Sequence, residues 1–317
     1  MKNPKPEIRN LKSLEELDLV EDVLRRALAS NVELLSRASE HIIRSGGKRL
    51  RPRIVLLSYE AAGGEDLSRA VPVAAAVELL HTASLIHDDI NDRSDMRRGE
   101  ATVNARWGDG LALLIGDFVF VRLLNMIAAF DSRVIRVLAD CCTAIVEGET
   151  LQMLHLGDIK MAEEAYLAIV TQKTASLFSA CAELGGVVAG GGEQQITALK
   201  EYGLNLGIAF QIRDDTLDLV GQRDELGKPV ASDLEQGKIS LATLFALKSS
   251  KRASEVLFSK DAAQAIQLLR DTDALEYAML KAREYSERAK KALSLLPGSE
   301  AKAELCRVAD FVVARDL

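Results

Sequence analysis

The sequence predicts an all-α protein of ten or more helices. Three observations carry that prediction. Aromatic residues are only 4% of the chain while hydrophobic residues reach 48%, and alanine and leucine, strong helix formers, supply much of the difference. Apolar positions recur at helical spacing along most of the 317 residues. No segment shows strand alternation closed by hairpin turns.

The elements follow in order. Residues 1–12, with Pro4 and Pro6, are expected to form a flexible lead, and 13–317 a single helical domain. Ser13-Leu14-Glu15-Glu16 has the form of a capping box. Leu17, Val20, Val23, Leu24 and Leu28 continue it as one helix that stops at Ser45-Gly46-Gly47. A second helix is expected over 51–62, ended by Gly63-Gly64, and a third over 67–92, with Pro72 tolerable in its first turns. Further helical patterns cover 111–130, 133–156, 161–188, 194–220 and 239–248. The C-terminal part adds 262–270, 273–295 and 300–314. The longest irregular stretch, Val220 to Lys238, is polar and carries Gly and Pro, and a connection of that length is usually functional.

Charge and cysteine usage narrow the function. A net charge of -7 argues against nonspecific binding to nucleic acid or anionic lipid. The four cysteines, Cys141, Cys142, Cys181 and Cys306, form no CxxC pair and read as reduced core thiols of a cytoplasmic protein. The N-terminus has no apolar run of the secretory kind, and no charge-free apolar run approaches the roughly eighteen residues of a membrane span.

The chemistry lies in two carboxylate clusters. Asp88-Asp89-Ile90-Asn91-Asp92 ends one apolar helix, and Asp214-Asp215-Thr216-Leu217-Asp218 ends another. Residues four apart on a helix project side by side, so each cluster aligns its first and last aspartate. Adjacent carboxylates repel, and a hard divalent cation relieves the repulsion. One such cluster is a weak signal, because a solvated acidic helix end looks the same. Two of them, each ending an apolar helix, point to Mg²⁺ and a polyphosphorylated ligand, since Mg²⁺ is usually held by one or two carboxylates plus waters and phosphates. The cations agree. Lys48, Arg49, Arg51 and Arg53 surround a helix start, where free N–H groups also favour phosphate, and Arg97 and Arg98 follow the first cluster. Lys173, Lys228 and Lys238 sit in "TQKTA", "GKP" and "QGKIS".

These motifs, from "GGKRLRP" through "LIHDDINDRSDMRRG", "EGE", "KTA" and "FQIRDDTLD" to "GKPVASDLEQGK", resemble the trans-isoprenyl diphosphate synthase (polyprenyl synthetase) family in order and surroundings, over nearly the whole chain. The resemblance implies a helical bundle around a central cavity, a homodimer, and head-to-tail condensation of isopentenyl diphosphate onto an allylic diphosphate. It implies Asp88, Asp92 and Asp214 as the principal Mg²⁺ ligands, supported by Asp89, Asp215 and Asp218, the last as a further ligand, with three ions expected per active site. Lys48, Arg51, His81 and Arg98 are implied for isopentenyl diphosphate. Arg97, Lys173, Thr174, Gln211, Lys228 and Lys238 are implied for the allylic diphosphate, and Arg97, Lys173 and Lys238 share the catalysis with the aspartates. Ser240 and Ala242 stand where the family usually has Thr and Pro, at positions the resemblance does not make ligands, and Ala231 replaces a common Gly, a change that bears on the geometry of the loop.

Chain length should depend on the cavity floor. Ala83 and Ser84, five and four residues before Asp88, are expected about one turn deeper on its face; both are small, and the resemblance implies that bulky aromatics there would close the pocket early. Leu80 and Ala76 lie two and three turns down, and Phe118 and Phe120 are candidate plugs of the opposite wall. The expectation is a product of at least twenty carbons, with twenty-five to forty favoured over a farnesyl or geranylgeranyl product. So lipophilic a product would also allow peripheral membrane association. Three other readings fit less well. An HD-type metal phosphohydrolase built on His87-Asp88 needs more ligands than His41, His81 and His155 supply, and leaves the second cluster unexplained. A silent partner subunit would be expected to lose a cluster or the Lys48/Arg51 pair, and a cyclase or head-to-head synthase has no use for an isopentenyl subsite.

Overall fold

Several helices begin where a side chain replaces a missing backbone partner. Asp131 accepts the N–H groups of Arg133 (2.9 Å) and Val134 (3.1 Å), Ser240 that of Thr243 (3.2 Å), and Ser299 that of Lys302 (3.1 Å). The computed structural model describes residues 13–44, 46–97, 99–220, 232–250, 252–257, 259 and 262–314. The expected lead over residues 1–12 lies outside them.

The helices are α1 (Ser13–Ala27), α2 (Glu33–Arg44), α3 (Leu50–Ala61), α4 (Val71–Asn91), α5 (Val103–Trp107), α6 (Asp109–Ile127), α7 (Ser132–Leu154) and α8 (Glu163–Val170). After a π-turn at Thr171–Ala175 come α9 (Ser176–Ala189), α10 (Glu193–Val220), α11 (Ser232–Glu235) and α12 (Leu241–Ser249). The chain continues with α13 (Ala253–Leu257), α14 (Ala262–Asp271), α15 (Ala274–Ala292) and α16 (Glu300–Val313). The protein is all-α, as the sequence predicts. Helix α10 packs on both α9 and α15, α3 on α9, and α4 on α6. One buried cluster joins Ile54, Leu79, Leu123 and Leu184, and a smaller one joins Tyr166, Ile212, Leu244 and Ala278 beneath the second aspartate cluster. Burying a side chain such as Leu199 contributes about 2 kcal/mol relative to exposure.

Four expectations are corrected. The first helix is two, because the chain turns at Ser30, whose Oγ accepts the Val32 N–H (3.1 Å). The third starts at Val71, with Pro72 in its first turn. Met96–Arg97 and Glu100–Ala101 form a two-residue antiparallel ladder, β1 and β2, and Gly99 at φ 80° allows the reversal. The short helix α13 carries too few residues to show a period. All four cysteines are free thiols, Cys141 and Cys181 buried, and burial pushes the Cys141 thiol up to about 12. Helix α6 is long and apolar enough to cross a membrane by length and composition, and a third of it is buried against the fold.

Candidate active site

Helix α4 carries two kinds of aspartate. Asp88 and Asp92 are half-buried on one face of its end. Burial pushes the Asp88 carboxyl up to about 6; Lys173 opposes the shift, and Glu149 and Asp92 add to it. Asp92 accepts a hydrogen bond from the Lys238 ammonium at 2.7 Å, and Asp233 stands 3.8 Å from the same nitrogen. Asp89 points the other way and is buried. Arg97, carried by β1, donates Nε to both of its oxygens (2.9 and 3.1 Å) and Nη2 to one (2.7 Å). The Thr102 hydroxyl, bonded to the Ser94 carbonyl at 2.7 Å, closes the base of that hairpin.

The second cluster is held differently. Asp214 is exposed. Asp215 accepts from the Tyr166 hydroxyl (2.7 Å) and the Gln211 amide (2.6 Å). Burial pushes its carboxyl up to about 7 against those two hydrogen bonds. Asp218 is buried and accepts the Asp233 N–H at 3.1 Å, which ties α10 to the start of α11. Thr174 donates to the Gln211 carbonyl oxygen at 2.7 Å. Lys173, Thr174, Gln211, Asp215, Asp218 and Lys238 all line one cleft. Two lysines and three aspartates, Asp233 among them, thus line one cleft, and Lys238 reaches from it to Asp92.

Lys173 owes its place to the π-turn, where the Ser176 N–H donates to the Thr171 carbonyl five residues back. Its ammonium meets Gln152 Oε1 at 2.6 Å and pairs with Glu149. Gly148 faces the turn, and a Cβ there would stand 2.8 Å from Lys173 Cα and 2.9 Å from the Gln172 carbonyl carbon.

A second cationic group sits where α3 begins. Arg51 Nη1 lies 3.0 Å from His81 Nε2 on α4, and its guanidinium stacks over Phe178 at 4.7 Å. Lys48 is exposed, 5.7 Å from the Phe311 ring centre. Arg98, Lys228 and Ala231 lie outside the described residues.

The expectation that Ala83 and Ser84 share the Asp88 face is corrected. Helical steps of about 100° put a residue five back roughly 140° away. Ser84, half-buried, lies on the Asp88 face and donates to the His81 carbonyl at 2.8 Å. Ala83 is buried one turn before His87, and His87 packs directly on Gly116 of α6. Ala76, Leu80 and Ala83 are all buried, and Ala76 and Ala83 continue the His87 stripe toward α6. Phe120 lies one turn beyond Gly116; it and Phe118 are half-buried against the core.

The sequence reading did not assign Glu149, Gln152, Tyr166 or Asp233. The first two were reachable, since Glu149 belongs to the noted "EGE" and Gln152 lies one turn on. Asp233 was reachable too, since it lies in the noted "GKPVASDLEQGK", whereas Tyr166 comes from a distant segment with no local signature. The donor set suits a hard cation, being all carboxylate oxygen beside lysines that suit phosphate. Among the described residues no three side chains converge to hold an ion unaided. Mg²⁺ does not need them to, because water and substrate phosphate complete its shell.

Known proteins resemble this chain over nearly its whole length. Residues 32–272 match the family model described as Polyprenyl synthetase. The short chain isoprenyl diphosphate synthase of Methanothermobacter thermautotrophicus is 40% identical, over 94% of this chain and 96% of its own. The octaprenyl diphosphate synthase of Escherichia coli is 35% identical, over 97% and 99%. A polyprenyl synthase from Caulobacter crescentus, solved with calcium and isoprenyl diphosphate, superposes with a TM-score of 0.93 at 34% identity, over 99% of each chain.

Proposed function

The chain belongs to the polyprenyl synthetase family and is a prenyltransferase of isoprenoid synthase fold; on that premise we propose that it condenses isopentenyl diphosphate head-to-tail with an allylic diphosphate, with Mg²⁺ as cofactor. One observation carries the reading. Carboxylates and lysines interleave at a single cleft lined by Lys173, Asp215, Asp218 and Lys238, and Lys238 reaches from it to Asp92 at the end of α4. Asp88, Asp92 and Asp214 would hold the metal, and Asp218 and Asp215 fix the α10 wall behind them.

Bound Mg²⁺ supplies Lewis-acid stabilisation to the departing diphosphate. Lys173 and Lys238 add fixed positive charge on the same side, favouring heterolysis of the allylic C–O bond. Arg97, oriented by Asp89, extends that field. Arg51 and His81 hold the isopentenyl diphosphate so that its double bond meets the allylic carbon. The apolar α4–α6 region keeps water from the cation. Pyrophosphate, once released, is the base that takes the final proton.

Incubation of the purified protein with Mg²⁺, labelled isopentenyl diphosphate and each allylic primer tests the reading. A ladder of prenyl diphosphates that requires both substrates supports it. Phosphate release from simple esters without an isoprenoid would favour the phosphohydrolase instead.

For chain length we infer a product of twenty or more carbons. The similar proteins carry names from short chain to octaprenyl, so the argument rests on the small Ala83 and on Ala76 along the stripe facing α6. Ala83→Phe is expected to shorten the main product by at least one five-carbon unit while sparing the first condensation, read by chromatographic sizing. An unchanged product distribution would remove Ala83 from the wall.

We also propose a homodimer built on α6 and α7. Leu113, Leu114, Val121 and Leu124 of α6 and Val146 and Leu154 of α7 are exposed, and apolar faces of this kind need a cover. Asp117, itself more than half exposed on that α6 face, suits a protein partner better than lipid. Light scattering on the eluting protein should give twice the 34.5 kDa chain mass, and Leu114→Glu should give the single chain. A monomeric unmodified protein would refute the assignment.

A further inference from the structure

Arg49, which no step above uses, caps α3 at φ 50° and ψ 39°. This is the left-handed region, disfavoured for any residue with a Cβ. The side chain shows what holds it there. Its Nε donates to Glu21 of α1 at 2.5 Å and its Nη1 to Glu78 of α4 at 2.6 Å. The three side chains are only 11%, 23% and 7% exposed, so the planar guanidinium is clamped between two carboxylates away from water. Gly46 clears the space, because a Cβ at that position would stand 2.7 Å from Arg49 Cζ.

The clamp sits next to the cations given above to isopentenyl diphosphate. Glu78 lies one turn before His81 on α4, and Arg49 two residues before Arg51. Arg49–Glu78 and Arg51–His81 are therefore successive rungs joining the start of α3 to α4. Lys48 precedes the left-handed residue and Arg51 follows it, so the turn sets their relative direction. Relaxing Arg49 to ordinary helical φ would swing Lys48 by roughly 110° about the chain.

We propose that Glu21, Arg49 and Glu78 are positioning residues of the isopentenyl diphosphate subsite, through which α1 governs affinity for that substrate without touching it. The proposal rests on the function given above. Its test is steady-state kinetics of the full chain, varying each diphosphate with the other saturating. Glu21→Gln and Glu78→Gln are each expected to raise KM for isopentenyl diphosphate about ten-fold, with KM for the allylic diphosphate within about two-fold of the unmodified value. Adding Arg49→Gly to the double variant should return KM to within about three-fold, because glycine takes the left-handed turn unaided. Should Glu78→Gln fail to fold, Glu21→Gln at the clamp's rim carries the same test. Equal rises in both KM values, or a lower melting temperature with both unchanged, would overturn the proposal by leaving the clamp only structural. A triple variant no better than the double would overturn it too. Failure of the unmodified protein to consume isopentenyl diphosphate would overturn the assigned reaction instead.

Discussion

Asp88→Asn is expected to raise the melting temperature of the metal-free protein at pH 8 while lowering its turnover with Mg²⁺ about a thousand-fold. Both effects have one cause. Burial lifts the Asp88 carboxyl from its ordinary 3.8 to about 6, so the ionised form is uncomfortable in the fold. A folded value above the unfolded one gives stability that is complete below about 3.8 and lost as pH rises through about 6. Asparagine cannot ionise and escapes that loss. The gap in melting temperature between variant and unmodified protein, measured in EDTA, should therefore be wide at pH 8 and narrow at pH 5. Lys173 keeps Glu149 and Gln152 as partners in the variant, so it is not stranded. Catalysis moves the other way, because a neutral amide gives up the charge that a hard cation seeks. A site that holds an unfavourable charge for function gains stability when the charge is removed. Turnover within ten-fold of the unmodified enzyme would exclude Asp88 as a principal ligand.

The reach of the sequence reading has physical limits that particular residues show. Helical period identified most elements because a buried stripe must repeat every three or four residues. It missed the break after α1 because Leu28 and Leu35, on either side of it, keep a seven-residue rhythm across a segment with neither Gly nor Pro. In the aspartate clusters, spacing conveys which side chains share a face and not what each one meets. Asp88-Asp89-Asp92 and Asp214-Asp215-Asp218 have the same spacing. Yet Asp89 takes an arginine from the following hairpin, while Asp215 takes a tyrosine 49 residues away. The contact of Lys238 with Asp92 bridges 146 residues and could enter only through the family resemblance. Four and five residues back differ by about 100° on a helix, so Ala83 belongs with His87 and only Ser84 with Asp88.

Gly148→Ala is expected to lower kcat/KM for the allylic diphosphate about a hundred-fold in a protein that still folds. The added Cβ would fall within 2.8 Å of Lys173 Cα, against backbone rather than a pliable side-chain tip. Either α7 or the π-turn must give way. The turn is the weaker element, since its five-residue hydrogen bonds hold a wider and rarer helix than the α8 and α9 segments on either side. Displacing it moves the Lys173 ammonium away from Asp88, Glu149 and Gln152 together, and a shift near 1 Å is enough for the stated loss. Overpacking at a helix contact costs about 1–3 kcal/mol, so the variant should still fold. The isopentenyl subsite lies on α3 and α4 and meets this side of the fold only through Phe178 of α9 under Arg51, so KM for isopentenyl diphosphate should rise far less than the allylic loss. That asymmetry separates loss of a positioned lysine from general damage. Equal losses for both substrates, or none, would mean that Gly148 does not set the place of Lys173.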